Sequence, residues 1–261
     1  MRASAALAVS PDNHLLAALS SEELGRLVPA LEQVAFSLGD VIYESGGRPD
    51  YLYFPSSCIV SLVYTMRDGV TAEMGLVGNE GAVGIALITG GDTMPNRAVV
   101  QVAGDAFRVN ARTVLQEFRR GGPLQRSLLL YTQALLTQTC QTAVCNRLHS
   151  IEERLCRWIL LCHDRLKSNE LRMTQEYIAN MLGGRRQSVT VAAGQLQDAG
   201  LIHYSRGHIR IVDRRGLEAA VCECYGVVRT EFDRLLGRAR MVRQIPVHGL
   251  EGAARSGSAT G

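Results

Sequence analysis

The sequence predicts an α+β protein in which an N-terminal β-roll, a long central helix and a C-terminal winged helix-turn-helix follow one another. Short apolar runs separated by glycines fill residues 34–109, a long helical stretch covers residues 123–150, and two short helices flank Gly183. The 261 residues suffice for two domains of ordinary size. The predicted domains are 12–122 for the β-roll, 123–150 for the central helix, 151–240 for the winged helix-turn-helix and 241–261 for a disordered tail.

The N-terminal part combines a helical segment with a run of short strands. Leucines recur at helical intervals between Leu15 and Leu31, which predicts helix over residues 12–34, with Ser21 opening a glutamate-rich turn. Apolar and aromatic runs bounded by glycines then predict strands, and many short strands with glycine turns favour a β-roll or barrel. The predicted strands cover residues 41–43, 51–54, 59–64 and 98–102.

The long helix follows a Gly-Gly-Pro break at residues 121–123. Its positions Leu128, Tyr131 and Leu135 keep a spacing of three and four residues, and Thr142 continues the same stripe with a smaller polar group. We expect this stripe to form the interface of a homodimer. The alternative is a helix that packs only against its own β-roll.

Two short helices around a glycine make a helix-turn-helix the strongest prediction of the C-terminal part. Gly183 can adopt the positive φ of a sharp turn, which a residue with a Cβ would resist. The positions predicted to be buried are Ile178, Met181 and Leu182 on the first helix and Val189, Ala192, Ala193 and Leu196 on the second. Arg186, Gln187, Thr190 and Val191 share the opposite, exposed face of the second helix.

The exposed face begins with side chains that read DNA. Arginine can bond to guanine and glutamine to adenine through two hydrogen bonds each, while Ser188 and Thr190 suit phosphates or base edges. Apolar runs at 201–204 and 208–212 surround a Ser-Arg-Gly turn and predict a two-stranded wing. The alternative is an ordinary pair of helices and a β-hairpin with a solvated basic surface.

The distribution of charge agrees with that prediction. Residues 1–122 carry nine arginines against thirteen acids, a balance of −4, whereas residues 171–215 carry seven arginines against three acids, a balance of +4. A basic C-terminal module attracts phosphate. No apolar run approaches the roughly 18 residues that span a membrane, and we expect a cytoplasmic protein with no membrane partner.

The seven cysteines are odd in number and lie mostly in apolar helical surroundings, which favours reduced buried thiols over a disulfide framework. Only Cys222 and Cys224 are closely spaced. A C-x-C pair without a neighbouring histidine or a second pair is a weak indication of a metal. We therefore expect no metal and no other cofactor.

The helix-turn-helix segment resembles the Crp/Fnr superfamily of bacterial transcription regulators, and the resemblance extends over about residues 14–238. The residues that match the family pattern are Thr174, Gln175, Glu176, Ile178, Ala179, Leu182, Gly183, Arg186, Ser188, Val189, Leu196, Gly200, Leu201 and Ile202. The resemblance implies a β-roll like a cyclic-nucleotide-binding domain, a central dimerisation helix and a winged helix that binds palindromic DNA. It also implies RNA polymerase as a partner if the protein activates transcription.

Two positions depart from the family pattern of DNA contacts. Arg186 and Gln187 stand where the family places its main base-reading pair, but Val191 replaces a second arginine, and Arg185 replaces the usual Ser or Thr helix cap. Valine can touch a thymine methyl but cannot read guanine. The residues predicted to contact double-stranded DNA are Thr174, Arg185, Arg186, Gln187, Ser188, Thr190, Val191, Arg206 and His208.

The β-roll departs further from the members that bind cyclic AMP. Those members use a Gly-Glu pair for the ribose and an Arg-Ser pair for the phosphate, whereas here Ile85 follows Gly84 and Ala98 follows Arg97. We expect either an effector other than cyclic AMP, with Arg97 as a candidate anion contact, or no effector, with regulation through the abundance of the protein. The clustered N-terminal cysteines of the iron–sulfur members are also missing.

Two other functional classes compete with a DNA-binding regulator. A cupin-type enzyme would hold its metal with histidines, but the sequence has no histidine between His14 and His149. We therefore expect a protein that is not an enzyme. A regulatory protein that binds a nucleotide-like ligand but no DNA is the second alternative, and the Arg186–Gln187 pair argues against it.

Overall fold

The computed structural model describes residues 12–166 and 168–241, so the tail predicted for 241–261 lies outside the described residues from position 242 onward. Two short helices begin the fold, α1 (His14–Ala17) and α2 (Ser21–Leu27), and a 3₁₀ turn (Val28–Ala30) follows them. The side chain of Ser20 accepts from the amide of Glu23, so Ser20, and not Ser21, caps α2. Helix was predicted to residue 34, but a strand begins at Leu31.

The predicted β-roll is confirmed, with three strands beyond the four that the sequence analysis bounded: the first, the fifth and the seventh. The strands are β1 (Leu31–Phe36), β2 (Val41–Tyr43), β3 (Tyr51–Pro55), β4 (Ile59–Thr65), β5 (Thr71–Val77), β6 (Arg97–Val102) and β7 (Gly104–Asn110). A short helix, α3 (Ala86–Thr89), lies between β5 and β6. The antiparallel sheets have the orders β1-β7-β3 and β2-β6-β4-β5, and Leu52, Phe54 and Val100 lie fully buried in the core.

After α4 (Ala111–Arg119), the central helix α5 (Pro123–Leu148) runs across the roll. Proline at its first position suits the start of a helix, since the first amides have no partner within it. Tyr131 is fully buried, and a Cβ at Gly81 would collide with its ring. Gln138 Nε2 donates to Leu76 O at 2.9 Å. The roll and the helix therefore form one packed unit.

The residues predicted to form the dimer interface are wrong, because they face the β-roll of their own chain. Leu128, Tyr131 and Leu135 are 0%, 0% and 5% exposed and belong to the core of the β-roll. Thr142 is 6% exposed and its hydroxyl donates to Gln138 O at 2.8 Å. The spacing therefore identified the face that the helix buries within its own chain.

The C-terminal part forms the second core. Its elements are α6 (Ile151–His163), β8 (Glu170–Arg172), α7 (Gln175–Leu182), α8 (Arg186–Asp198), β9 (Ile202–Ser205), β10 (His208–Ile211), α9 (Arg214–Ala220) and α10 (Glu223–Met241). The wing was predicted with two strands, but its sheet has three, in the order β8-β10-β9. Among the described residues, no helix combines the length and apolar character needed to cross a membrane.

The two cores meet at a seam where apolar packing and buried hydrogen bonds both contribute. Ile59 and Leu76 of the roll pack into the C-terminal core, and Arg165, which is 6% exposed, donates to Glu80 Oε1 at 2.8 Å and to Gln138 Oε1 at 2.9 Å. Because a buried guanidinium needs partners for its donors, these bonds fix the end of α6 against both the roll and α5.

Candidate DNA-binding surface

The first helix of the helix-turn-helix is capped at both ends, at its start by Thr174 and at its end by Gly183, the glycine predicted to form the turn. The side-chain oxygen of Thr174 accepts a hydrogen bond from Tyr177 N at 3.2 Å. Gly183 ends the helix in the left-handed region, at φ 59° and ψ 38°. A Cβ at Gly184 would lie 2.8 Å from Ile151 Cδ1, so the turn passes close to α6. These contacts fix the angle at which α8 begins.

Helix α8 buries the predicted face and exposes the opposite one. Val189, Ala192, Ala193 and Leu196 are at most 4% exposed. Arg186, Gln187 and Thr190 are exposed, Val191 is 62% exposed, and Ser188 is half-buried at the edge. The first turn of α8 therefore presents a guanidinium and an amide to solvent side by side.

The N-terminus of α8 has no side-chain cap within the described part of the chain. Arg185 occupies the cap position with φ −84° and ψ 143°, and its side chain accepts no bond from the first amides of the helix. Uncapped amides and the positive end of the helix dipole favour an anion at this point. With Arg185 and Arg186 both exposed beside them, the site suits a DNA phosphate.

Thr190 is already engaged within the protein. Its hydroxyl donates to Gln175 Oε1 at 2.8 Å and lies 3.0 Å from Arg186 O. The bond to Gln175 joins the middle of α8 to the first turn of α7. The hydroxyl hydrogen of Thr190 is thus engaged, and only its lone pairs remain to accept a bond from a ligand on this face.

The wing presents a polar surface that the sequence pattern found only in part. Arg206 and Gly207 form its turn, with φ 48° and 80°. His208 pairs with Ser205 on one side and with Arg172 on the other, and all three are exposed. Arg172 was missed because β8 has only three residues and one apolar position, Leu171. The excess of arginines over residues 171–215 was the available signal.

Arg210, two residues beyond His208 on β10, extends the exposed face of the wing. Arg210 lies between Glu170 and His203 in the sheet register, and it is exposed like His208. Tyr204 anchors this sheet, since its amide donates to Gln197 Oε1 at 2.8 Å and its hydroxyl donates to Met173 O at 3.1 Å. The wing and α8 thus form one fixed surface.

Comparison with known families agrees with this geometry. Residues 153–220 match the Crp-like helix-turn-helix domain, and residues 33–120 match the cyclic nucleotide-binding domain. The chain belongs to the Crp/Fnr family. Its members are transcription regulators, and both halves of this fold are those of the family.

Solved structures of Crp/Fnr regulators share this fold at low sequence identity. FixK2 from Bradyrhizobium japonicum is 16% identical with a TM-score of 0.64, covering 74% of this chain and 98% of its own. A regulator from Thermus thermophilus is 22% identical with a TM-score of 0.59, covering 72% and 97%. The c-di-GMP responsive regulator CLP from Xanthomonas campestris is 16% identical with a TM-score of 0.58, covering 74% and 100%. No curated protein sequence matches the chain significantly.

The β-roll of this Crp/Fnr chain places the predicted anion contact in an ion pair. Arg97 lies on β6, and its Nη2 is 3.4 Å from Glu44 Oε1. Ala98 is fully buried beside it, and the side chain of Ile85 packs against the core of the roll. The positive charge of Arg97 is therefore partly neutralised by a carboxylate of its own chain.

Proposed function

We propose that this Crp/Fnr regulator binds a specific, near-palindromic DNA site as a homodimer, with α8 of each chain in the major groove. The observation that carries the proposal is the exposed first turn of α8, where Arg186 and Gln187 stand side by side above a buried apolar face. Arginine and glutamine at such positions read guanine and adenine. Val191, further along the same exposed face, suits a thymine methyl.

The remaining contacts go to the DNA backbone. Ser188 and the uncapped amides after Arg185 lie at the N-terminal end of α8, and phosphate contacts there would fix the helix in the groove. Thr174, the cap of α7, would add a phosphate contact at the start of the first helix. Arg206 and His208 of the wing would reach the neighbouring backbone. Arg172 and Arg210, on the same exposed face of the wing, extend this set beyond the residues found in the sequence.

The exposed face of α5 supports the dimer. Leu129 is 51% exposed and Leu136 is 62% exposed, and Ala143 continues the spacing of seven residues beside Val144, which is 44% exposed. Apolar residues repeating every seven positions are typical of helices that pair in a coiled coil. Two copies that pair through this face are related by a two-fold axis, and the DNA half-sites then repeat with the same symmetry.

The proposed effector is a small molecule other than cyclic AMP. Ile85 offers no carboxylate for a ribose hydroxyl and Ala98 offers no hydroxyl for a phosphate. The pairing of Arg97 with Glu44 supports the same proposal, because a phosphate would have to compete with that carboxylate.

Selection of bound duplexes from a random pool tests the function. We expect the full-length protein to enrich one near-palindromic sequence, whose half-sites lie about one helical turn, roughly 34 Å, apart. Fluorescence anisotropy on that duplex should then show binding that weakens steeply with salt. Enrichment of no sequence, with equal affinity for all duplexes or none, would favour a regulatory protein without sequence-specific DNA binding.

A further inference from the structure

Four potential metal ligands converge where α5 ends and α10 begins. Cys145 and His149 lie one turn apart at the end of α5, while Cys222 and Cys224 lie at the start of α10. Their ligand atoms, three Sγ and one imidazole nitrogen, all lie within 4.8 Å of one another. Cys145 and Cys224 are fully buried and Cys222 is 5% exposed. The fold thus joins residues that are 77 positions apart in the sequence.

The distances within this cluster match a single tetrahedral ion. Cys145 Sγ and Cys222 Sγ are 3.7 Å apart, and Cys224 Sγ is 3.5 Å from His149 Nδ1. Two thiolates about 2.3 Å from one Zn²⁺ at the tetrahedral angle lie about 3.8 Å apart, and a thiolate and an imidazole about 3.6 Å apart. A disulfide needs sulfurs at about 2.05 Å, so the two thiols stand at coordinating distance and not at bonding distance.

The surroundings supply the partners that bound metals require. His149 turns its other nitrogen, Nε2, toward Glu223 Oε2 at 3.3 Å. A carboxylate behind a ligating histidine fixes its tautomer and orientation. Gln141 Nε2 donates to Cys224 Sγ at 3.1 Å, which stabilises negative charge on that sulfur.

A buried guanidinium lies beside the cluster. Arg157 Nη2 donates to Thr142 Oγ1 at 3.3 Å, on the turn of α5 that also carries Cys145. Arg157 is 5% exposed, so its charge is little screened by water. Three thiolates and one Zn²⁺ carry a net charge of −1, which the guanidinium can balance.

We propose that Cys145, His149, Cys222 and Cys224 bind one Zn²⁺ ion per chain in a closed Cys₃His site. Zinc is the ion that this ligand set and geometry favour, because thiolate and imidazole ligands at tetrahedral spacing are typical of structural zinc sites. Four ligand atoms within 4.8 Å enclose one ion and leave no space for an iron–sulfur cluster between them. The C-x-C pair was only a weak indication in the sequence, since the histidine and the third cysteine lie far from it.

The position of the site predicts what the ion does. His149 ends α5, and α6 of the C-terminal core begins two residues later, at Ile151. Bound zinc would fasten this corner to the start of α10. The ion would therefore hold the exit of the central helix at a fixed angle to the DNA-binding part. This proposal is independent of the effector and of the DNA sequence bound.

Metal analysis of the full-length protein, purified under reducing conditions without chelator, tests the proposal. We expect inductively coupled plasma mass spectrometry to find about one zinc per chain. We also expect the zinc-free protein to develop intense thiolate-to-metal absorption and tetrahedral d–d bands when titrated with Co²⁺, and Zn²⁺ to displace them. Cys224→Ser and His149→Ala should lose the bound zinc, whereas Cys140→Ser, an exposed thiol of the same helix outside the cluster, should retain it.

A second variant keeps the proposal testable if the ligand variants fail to fold. Glu223→Gln leaves all four ligands in place and should weaken Zn²⁺ binding about 10–100-fold in competition with a chromophoric chelator. Absence of thiolate–cobalt absorption in the zinc-free wild-type protein would overturn the proposal. A Cys145–Cys222 disulfide that persists under reducing conditions in the presence of Zn²⁺ would also overturn it, because that bond removes two of the ligands.

Discussion

Glu73 Oε2 lies 2.6 Å from Ser61 Oγ, in a buried position between two strands of the β-roll. Ser61 in turn hydrogen bonds to Gln101, and both are fully buried. Burial raises the pKa of the Glu73 carboxyl to about 7, although Ser61 and the charges of Arg157 and Arg165 act in the opposite direction. A carboxyl group that titrates near neutrality therefore lies at the seam between the roll and the C-terminal core.

This carboxyl group should make stability depend on pH. The folded pKa of Glu73, about 7, lies above its usual value of 4.5. Its contribution to stability is therefore fully present below about pH 4.5 and is lost as the pH rises through about 7. The free energy of unfolding of the wild type should fall relative to that of Glu73→Gln over this window, by at most about 1.4 kcal/mol per pH unit.

Urea unfolding at several pH values between about 5 and 8 measures this difference, with the exposed Glu176→Gln as a matched control. The difference in the free energy of unfolding between the wild type and Glu73→Gln should widen as the pH rises. The same difference between the wild type and Glu176→Gln should stay constant. Parallel curves for all three proteins would show that Glu73 does not titrate in this range.

Replacing the base-reading pair should weaken specific binding without changing the fold. Arg186→Ala and Gln187→Ala should each cost about 1–3 kcal/mol on the selected duplex, since each would lose its bonds to a base edge. Gln195→Ala, an exposed residue two turns further along α8, is the control. Anisotropy titrations measure the effect, and unchanged affinity and selectivity in both variants would contradict the assigned register of α8.

A wing variant should behave differently from a base-reading variant. Arg206→Gln keeps a side chain with a Cβ at the positive φ of the turn, so backbone strain stays the same. Loss of a phosphate contact should weaken binding to all sequences alike and reduce the slope of log K against log salt by about 1. A loss confined to the selected site would instead place Arg206 against a base.

Neighbouring residues on α5 should separate dimerisation from folding. Leu136→Glu places a charge on the exposed face and should yield monomers in light scattering, with thermal stability of each chain little changed. Leu135→Ala empties a buried position and should destabilise the chain by about 2–5 kcal/mol. If Leu136→Glu stays dimeric at micromolar concentration, the dimer uses another surface.

The β-roll should bind cyclic AMP only weakly. Each polar contact that the ligand loses on entering the roll costs about 1–3 kcal/mol, and both Ile85 and Ala98 lack a group that the ligand needs. Isothermal titration calorimetry should show no micromolar binding and no change in DNA affinity. Tight binding coupled to a rise in DNA affinity would contradict the proposed choice of effector.

Local patterns predicted the DNA-binding part well because its geometry depends on neighbouring residues. The turn at Gly183 and the buried face of α8 each follow from a few consecutive positions. Strand β8 escaped prediction because three residues carry too little periodicity. Its arginine joins the candidate surface only through pairing with β10, which is a contact between distant segments.

The central helix shows the limit of such patterns. Spacing alone identifies an apolar stripe, and α5 has two of them, one through Leu128 and Leu135 and one through Leu129 and Leu136. Only the packing of the roll shows which stripe is buried. The convergence of Cys145, His149, Cys222 and Cys224 was missed for the same reason, since no local motif unites Cys145 with Cys222.

The ring of Tyr131 against Gly81 has a consequence for signalling. That contact leaves no space for a Cβ, and hence none for the helix to slide while the roll keeps its shape. Tyr131 and Leu136 stand five residues apart on one helix, which places them on different sides of it, about 140° apart. If two copies pair through Leu136, as proposed, a ligand that reshapes the roll next to Tyr131 would move the helix and, with it, the surface that meets the partner.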